Sequence, residues 1–234
     1  MPCAQRAKRT RVMGGIERFA SLEKISECFV VIENILFDAD GVIQQATQHW
    51  QPAFQVALSL KDESQAKAVL EDVFAAETEA LESDGGFAER LEKVLAKWER
   101  PGLVLEALNV MHAIEVHQDV MQVVQAVRRS GIPCHIASNQ QTSRAKHMSE
   151  GLNYRSLFDT EFYSCFVGVA KPKISYFEKV VEKLGCNASA VLFLDDRVEN
   201  VDAAKQAGLS ATVFYGADGA ATLKRRLASF GVSV

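Results

Sequence analysis

Two aspartates stand two positions apart at the end of an apolar run, in the stretch ILFDADGVI, and a glycine follows them directly. We expect Asp38 and Asp40 to leave the end of a buried strand together. Gly41 suits the turn beyond them because glycine readily takes left-handed backbone angles. Aspartate followed by glycine is also common in turns without function. The pair therefore predicts a site only if neighbouring strands end in groups that can act with it.

Polar side chains also end two later apolar runs. The run HIASN ends in Ser138 and Asn139, and the run VLFLDD ends in two adjacent aspartates. Ligand crevices of doubly wound sheets lie at the carboxyl ends of the strands, so we expect these groups to converge with the first pair. Carboxylates at such density need a hard cation, for which magnesium is the expected choice. The predicted metal ligands are Asp38, Asp40, Asp195 and Asp196.

A lysine is placed to serve the same crevice. Lys171 lies in VAKPKISYF, directly before a predicted helix whose start Pro172 favours. A lysine in this position can neutralise negative charge on a nucleophile and on a phosphoryl group. Simpler structural roles stay open: Lys171 can be a solvated surface residue, Ser138 and Asn139 can cap a helix near residue 142, and the second aspartate pair can cap the helix after it.

The rest of the pattern predicts the elements that position these residues. Four short apolar runs, bounded by polar residues or glycine, read as strands buried on both faces: VIENILF, IPCHIAS, AVLFLD and ATVFY. Helical spacing of apolar residues follows at 120–127, 174–184 and 198–207, and each pattern is followed by a glycine. Alternating strands and helices predict an α/β fold with a doubly wound, Rossmann-like parallel sheet.

The segment 44–116 has a different pattern of apolar residues. Its apolar residues recur at helical spacing in four stretches, and no strand-like run appears. We therefore predict an all-helical cap domain at 44–116, inserted into a core of 34–43 and 117–234 and placed to cover the crevice. Residues 1–33, with the basic string RAKRTR, are expected to be an N-terminal extension; a disordered tail, an address signal and residues ahead of a start at Met13 are the alternatives.

The amino-acid composition limits which partners the protein is expected to bind and in which cellular compartment it is expected to lie. The 234 residues are 48% hydrophobic and carry a net charge of −4, which argues against general attraction to nucleic acid or to an anionic membrane. No apolar run approaches a membrane span, and the N-terminus lacks the apolar core of a secretory signal. The five cysteines form no CxxC pair and read as reduced thiols. We expect a cytoplasmic monomer or homodimer.

Four strings in this sequence resemble the motifs of the haloacid dehalogenase-like superfamily, in the phosphatase branch with a helical cap inserted after the first motif. In chain order they are DADGV, ASN, AKP and FLDDRVENV, and the resemblance covers residues 34–215. The resemblance implies that Asp38 is a nucleophile that forms an aspartyl-phosphate and that Asp40 is the general acid and base. It implies that magnesium binds Asp38, the Asp40 carbonyl and one or both of the aspartates at 195 and 196, with Asp196 preferred.

The resemblance also implies a phosphate site and a reaction. Lys171 would be catalytic, and the residues that bind the phosphate would be Gly41, Ser138, Asn139 and Lys171. A dehalogenase expels halide, which needs no proton, so Asp40 favours a phosphate ester over a 2-haloacid. We predict a magnesium-dependent phosphatase acting on a small phosphomonoester, with a sugar phosphate favoured. A phosphosugar mutase, a 2-haloacid dehalogenase and a non-enzymatic protein that binds a phosphorylated ligand are the alternatives.

Overall fold

The structure is a computed structural model and describes residues 31–233. The expected N-terminal extension, 1–33, therefore falls almost wholly outside the described residues. Within residues 31–233 there are seven strands: β1 (Asn34–Phe37), β2 (Gln44–Ala46), β3 (Ile114–Val116), β4 (Cys134–Ser138), β5 (Thr160–Tyr163), β6 (Val191–Asp195) and β7 (Ser210–Val213). Five of them form one parallel sheet in the order β5-β4-β1-β6-β7.

The helices of the described residues alternate with these strands outside the segment 44–116. They are α1 (Trp50–Ala57), α2 (Glu63–Ala80), α3 (Phe87–Lys97), α4 (Val104–His112), α5 (Gln118–Arg129), α6 (Thr142–Lys146), α7 (Tyr154–Leu157), α8 (Ser164–Val167), α9 (Ile174–Leu184), α10 (Val198–Gln206) and α11 (Gly219–Ala228). A π-helical turn, His147–Gly151, continues α6. None of the helices between residues 31 and 233 has the length and apolar character that crossing a membrane requires.

Successive side chains of the central strands enter two different cores. From β1, Ile35 and Phe37 join one apolar cluster with α5 and α11, whereas Leu36 joins the other with α9 and α10. The side chains divide in this way because successive side chains of a strand point to opposite faces of the sheet. The sheet is thus covered on both faces, which confirms the predicted doubly wound α/β class.

One strand of the parallel sheet has no counterpart in the sequence prediction. The edge strand β5 reads TEFY, and its first two residues are not buried. An edge strand needs only part of its surface covered, so it lacks the continuous apolar run that marks β1, β4 and β6. The four predicted runs correspond to β1, β4, β6 and β7.

The segment 44–116 carries α1 to α4 and has its own apolar core. Phe54, Leu91 and Met111 lie at its centre with no exposed surface. We expected no strand in this segment, and that prediction is wrong. β2 and β3, which are its first and last three residues, pair antiparallel. Their sequences, QQA and IEV, are too short and too polar to show a strand period. We call residues 44–116 the helical insert.

The helical insert rests on the core beside the carboxyl ends of the sheet. The Gly85 N–H donates to the Thr142 hydroxyl over 2.8 Å. Glu82 accepts from the Ala170 N–H at 2.9 Å and pairs with Lys173 at 2.6 Å. These contacts tie the turn between α2 and α3 to the start of α6 and to the loop that carries Lys171.

Two histidines stack across the same boundary. The rings of His112, at the end of α4, and His147 are parallel, with centroids 4.5 Å apart. The Nε2 atom of His112 also lies 3.2 Å from the Ser143 hydroxyl of α6. The pKa of His112 is lowered to about 4, mainly by burial and also by the nearby His147 and Arg144. Protonation of His112 therefore opposes the packing of the helical insert on the core.

We expect Leu91→Ala to destabilise the protein by about 2–5 kcal/mol, because it removes a fully buried side chain from the core of the helical insert. Leu105→Ala is the matched control, since Leu105 is 71% exposed. Its effect should stay within about 0.5 kcal/mol. Urea unfolding of the two variants measures both values, and equal losses would contradict a separate core in this segment.

We expect stability to fall with acidity through the protonation of His112. The folded pKa lies below the unfolded value of 6.5, so the unfolded chain binds more protons between about pH 6.5 and pH 4. Stability is therefore lost as the pH falls through that window. His112→Gln should reduce this loss when the variant and the parent are unfolded near pH 5, and an equal loss in both would contradict the role of His112.

Candidate active site

Three adjacent strands of the sheet end in the residues that the sequence singled out. β1 is the central strand, with β4 on one side and β6 on the other. Asp38 follows β1, while Ser138 and Asp195 are the last residues of β4 and β6. All three are buried, with exposures of 6%, 2% and 0%. Parallel pairing in register thus brings these residues together, although they are far apart in the chain.

Lys171 lies between two of the buried carboxylates. Its Nζ donates to Asp38 over 2.8 Å and to Asp195 over 2.6 Å, and its side chain is 1% exposed. Burial alone would lower the pKa of Lys171, but the two carboxylates outweigh burial and raise it. The two carboxylates thus favour the charged form of Lys171, and its burial excludes the alternative of a solvated surface residue.

The charge on Asp38 is only partly compensated by this contact. Burial raises the pKa of Asp38 to about 7, the ammonium of Lys171 opposes that rise, and the carboxylate of Asp195 adds to it. A buried carboxylate of this kind gains from any further positive charge close to it. The site is therefore built so that the ionised form of Asp38 depends on cations.

Carboxylate oxygens suited to a metal ion lie next to that lysine. One oxygen each from Asp38, Asp195 and Asp196 can be chosen so that all three lie within 4.8 Å of one another. Both oxygens of Asp195 already accept hydrogen bonds, at 3.0 Å each from the Asn200 amide and at 2.8 Å from the Arg197 N–H. Asp38 and Asp196 are thus the better direct ligands, and an all-oxygen set fits a hard cation such as magnesium.

Asp196 is half-buried and faces the turn after β1. Burial raises its pKa, and the neighbouring Asp195 adds to that rise. A Cβ at Gly41 would collide with the Asp196 carboxylate, and the φ of Gly41 is +82°. Glycine is required there by both space and backbone angle. Gly41, one of the residues expected to bind phosphate, donates its N–H to the Gln44 carbonyl over 2.8 Å.

Asn139 holds the backbone of Lys171. Its amide donates to the Lys171 carbonyl over 2.8 Å and accepts from the Lys171 N–H over 2.9 Å. Asn139, one of the residues expected to bind phosphate, thus fixes the backbone of Lys171. The alternative that Ser138 and Asn139 cap the following helix is wrong, because Gln141 caps α6 by accepting from the Ser143 and Arg144 N–H groups.

Asp40 is held by side chains that the sequence prediction missed. Oδ1 accepts from Arg144 Nη2 at 2.5 Å and from Gln44 Nε2 at 2.9 Å, and Oδ2 accepts from Gln140 Nε2 at 2.7 Å. The Asp40 side chain is nevertheless 45% exposed. Its contact with Arg144 spans 104 residues of sequence, so no local spacing could reveal it.

A cavity of about 300 Å³ opens between these groups. Polar and charged residues line it almost entirely: Asp38, Asp40, Gly41, Ser138, Asn139, Lys171, Asp196, Arg197 and Asn200. All the predicted site residues except Asp195 therefore reach the cavity, and Asp195 lies behind it against Lys171. The volume suits a small polar ligand.

Comparison with known proteins identifies a family and structural neighbours of this chain. A family model described as haloacid dehalogenase-like hydrolase matches residues 32–208. A HAD family enzyme from Bacteroides thetaiotaomicron, solved in complex with magnesium and inorganic phosphate, superposes on 82% of this chain and 98% of its own. The TM-score is 0.67 and the identity 17%. At that identity the likeness shows a shared fold.

Two characterised proteins match shorter segments. The sesquiterpene phosphatase of Aspergillus oryzae is 34% identical over 64 residues, which cover 27% of this chain and 33% of that protein. The enolase-phosphatase of Salmo salar is 31% identical over 103 residues, which cover 42% of this chain and 38% of that protein. The matched segments thus span little more than a third of either relative.

We expect Lys171→Met to destabilise the protein by about 3–5 kcal/mol, because it leaves two buried carboxylates without their cation. The variant raises the folded pKa of Asp38 further above its unfolded value of 3.8, so stability is lost as the pH rises. The deficit in urea unfolding, measured with a chelator present, should be larger near pH 8 than near pH 5. Lys173→Met is the matched control, because its exposed pair with Glu82 contributes about 0–1 kcal/mol.

Proposed function

The chain belongs to the haloacid dehalogenase-like hydrolases, and we propose that it is a magnesium-dependent phosphatase acting on a small phosphomonoester. The observation that carries this proposal is the constellation of Asp38, Asp40 and Lys171 around one polar cavity. It offers a nucleophile, a proton-transfer group and a fixed cation on the same reacting centre. Acyl transfer or hydride transfer would need other groups.

In the first step, one oxygen of Asp38 attacks phosphorus and the bond from phosphorus to the leaving oxygen breaks. This displacement produces an aspartyl-phosphate and an alcohol. Asp40 gives its proton to the leaving oxygen, since an alkoxide is a poor leaving group. Lys171 and the Ser138 hydroxyl stabilise the negative charge on the equatorial oxygens of the transferring group. Asn139 contributes by keeping Lys171 in place.

In the second step, Asp40 accepts a proton from water as the water oxygen attacks phosphorus. The bond between phosphorus and the Asp38 oxygen breaks, which releases inorganic phosphate and restores the carboxylate. Asp40 thus returns to its starting state after one turnover. Three donors hold the two oxygens of Asp40, so its orientation toward the reacting atoms is fixed before the substrate binds.

Magnesium would be held by the side chains of Asp38 and Asp196 and by the Asp40 carbonyl, and when bound it would supply positive charge to the phosphoryl oxygens. Asp195 would support this site from behind through Lys171 and Asn200. The oxygen-only donor set and the raised pKa of Asp38 both support a cation at this position.

The substrate that we propose is a small phosphomonoester, with sugar phosphates favoured. The cavity of about 300 Å³ supports a compact leaving group, and its lining supports a polar one. The helical insert, whose turn between α2 and α3 contacts the loop of Lys171, is proposed as a cap over the cavity. Two relatives that carry phosphatase names match the chain in part and support phosphate release over halide release.

The first experiment measures phosphate release from a panel of sugar phosphates and other small phosphomonoesters, with magnesium and with chelator. Asp38→Asn should lose activity by at least about 10³-fold, because an amide cannot attack phosphorus to form the aspartyl-phosphate. Asp202→Asn is the control, since Asp202 is an exposed aspartate on α10. Chelation should abolish release by the parent and by the control.

Other outcomes would favour a different function. Release of halide from 2-haloacids by the parent, without phosphate release from any ester, would indicate a dehalogenase. Turnover only with a phosphorylated sugar activator would indicate a mutase. Tight binding of one ester without turnover would indicate a protein that binds a phosphorylated ligand.

A further inference from the structure

The proton-transfer group of the proposed reaction has an unusual partner. Asp40 meets a guanidinium, from Arg144, on the side that faces away from the cavity. Arg144 is 2% exposed, whereas the Asp40 side chain keeps 45% of its surface accessible. Asp40 is thus held by side chains at both oxygens and still keeps part of its surface accessible to a substrate.

Arg144 is itself fixed by the helical insert. Its Nη1 donates to the Met111 carbonyl at 2.5 Å, near the end of α4, and its guanidinium lies 5.5 Å from the centre of the Trp50 ring, at the start of α1. These contacts come from the last and first helices of the insert. The third nitrogen, Nε, is buried and has no hydrogen-bond partner among the described residues.

These contacts give Arg144 a role that differs from those of the cavity residues. Arg144 does not line the cavity, and its Nη2 contact with Asp40 leads toward the reacting centre. A guanidinium makes directed hydrogen bonds from a rigid plane, so its position fixes the orientation of the carboxylate that it binds. Gln44 and Gln140 complete this arrangement by donating to the two oxygens of Asp40.

We propose that Arg144 is a positioning residue that sets the orientation of Asp40 and makes it depend on the seating of the helical insert. This inference rests on the proposed phosphatase function, because it assigns Arg144 to the proton-transfer step of that reaction. When the insert is seated, Met111 and Trp50 hold the guanidinium, and the guanidinium holds Asp40 toward the cavity. When the insert shifts, the same contacts loosen and Asp40 loses its orientation.

The test is a double-mutant cycle on turnover of p-nitrophenyl phosphate with magnesium. Arg144→Gln should lower kcat by about 10–100-fold, the order of loss expected for a misplaced catalytic group. KM and inhibition by inorganic phosphate should change by less than about threefold, because Arg144 lies outside the cavity lining. In an Asp40→Asn background, Arg144→Gln should lower kcat by less than about twofold, since its effect acts through Asp40.

Further variants separate positioning from loss of structure. Arg144→Lys keeps the charge but cannot reach both Met111 and Asp40 with a rigid fork, so it should recover part of kcat. Trp50→Ala should lower kcat in the same direction but less, and Trp50→Phe should restore most of that loss. Arg155→Gln is the matched control, because Arg155 is an exposed arginine paired with Glu150. It should leave kcat unchanged.

The outcomes distinguish this inference from the proposed function. An inactive parent on every phosphate ester would overturn the proposed function. An active parent, with Asp40→Asn impaired and Arg144→Gln as fast as wild type, would overturn the positioning role alone. Equal fold losses from Arg144→Gln in the wild-type and Asp40→Asn backgrounds would also overturn it. If Arg144→Gln fails to fold by circular dichroism, Arg144→Lys and the Trp50 variants carry the same cycle and decide it.

Discussion

The burial of one cation among carboxylates is the constraint on which the site depends. Removing an isolated charge from water costs several kcal/mol even after relaxation, so Lys171 and its two carboxylate partners are stable only in close mutual contact. Contact within 3 Å requires β1 and β6 to be neighbours and the lysine loop to pass directly above them. The order of the sheet and the hydrogen bonds of Asn139 to the lysine backbone meet this requirement.

The same arrangement divides the site into two halves with different origins. The half that would bind the phosphoryl group is built wholly from the strand ends and loops of the core. The half that would transfer protons is built at the boundary with the helical insert, because Asp40 is held through Arg144. In the first half, parallel pairing of β1 with β4 and β6 fixes the positions of the strand ends. The second half has its geometry set by how two separately packed bodies meet.

The sequence was most informative where one local pattern determined one structural outcome. Strands buried on both faces must be apolar, so β1, β4 and β6 were visible, and polar residues that follow such runs had to emerge at one edge of the sheet. The edge strand β5 and the ribbon of β2 and β3 were not visible, because partly exposed short strands need no apolar run. Arg144 was hidden for another reason, since its partners lie 33 and 104 residues away in the chain. Gly41 was recognised as a turn residue, but its closeness to Asp196 depends on the tertiary fold.

The ribbon of β2 and β3 has a consequence for how proteins of this kind can diversify. Because Gln44 pairs with Val116 and the Ile43 carbonyl accepts from the His117 N–H, the core meets the whole insert as if it were a single hairpin turn. The number of residues inside that turn does not enter the register of the sheet, and lengthening a closed loop adds little entropic cost. The insert can therefore change in length without shifting the register of the core strands, provided that the residues near its two ends that hold Arg144 stay in place.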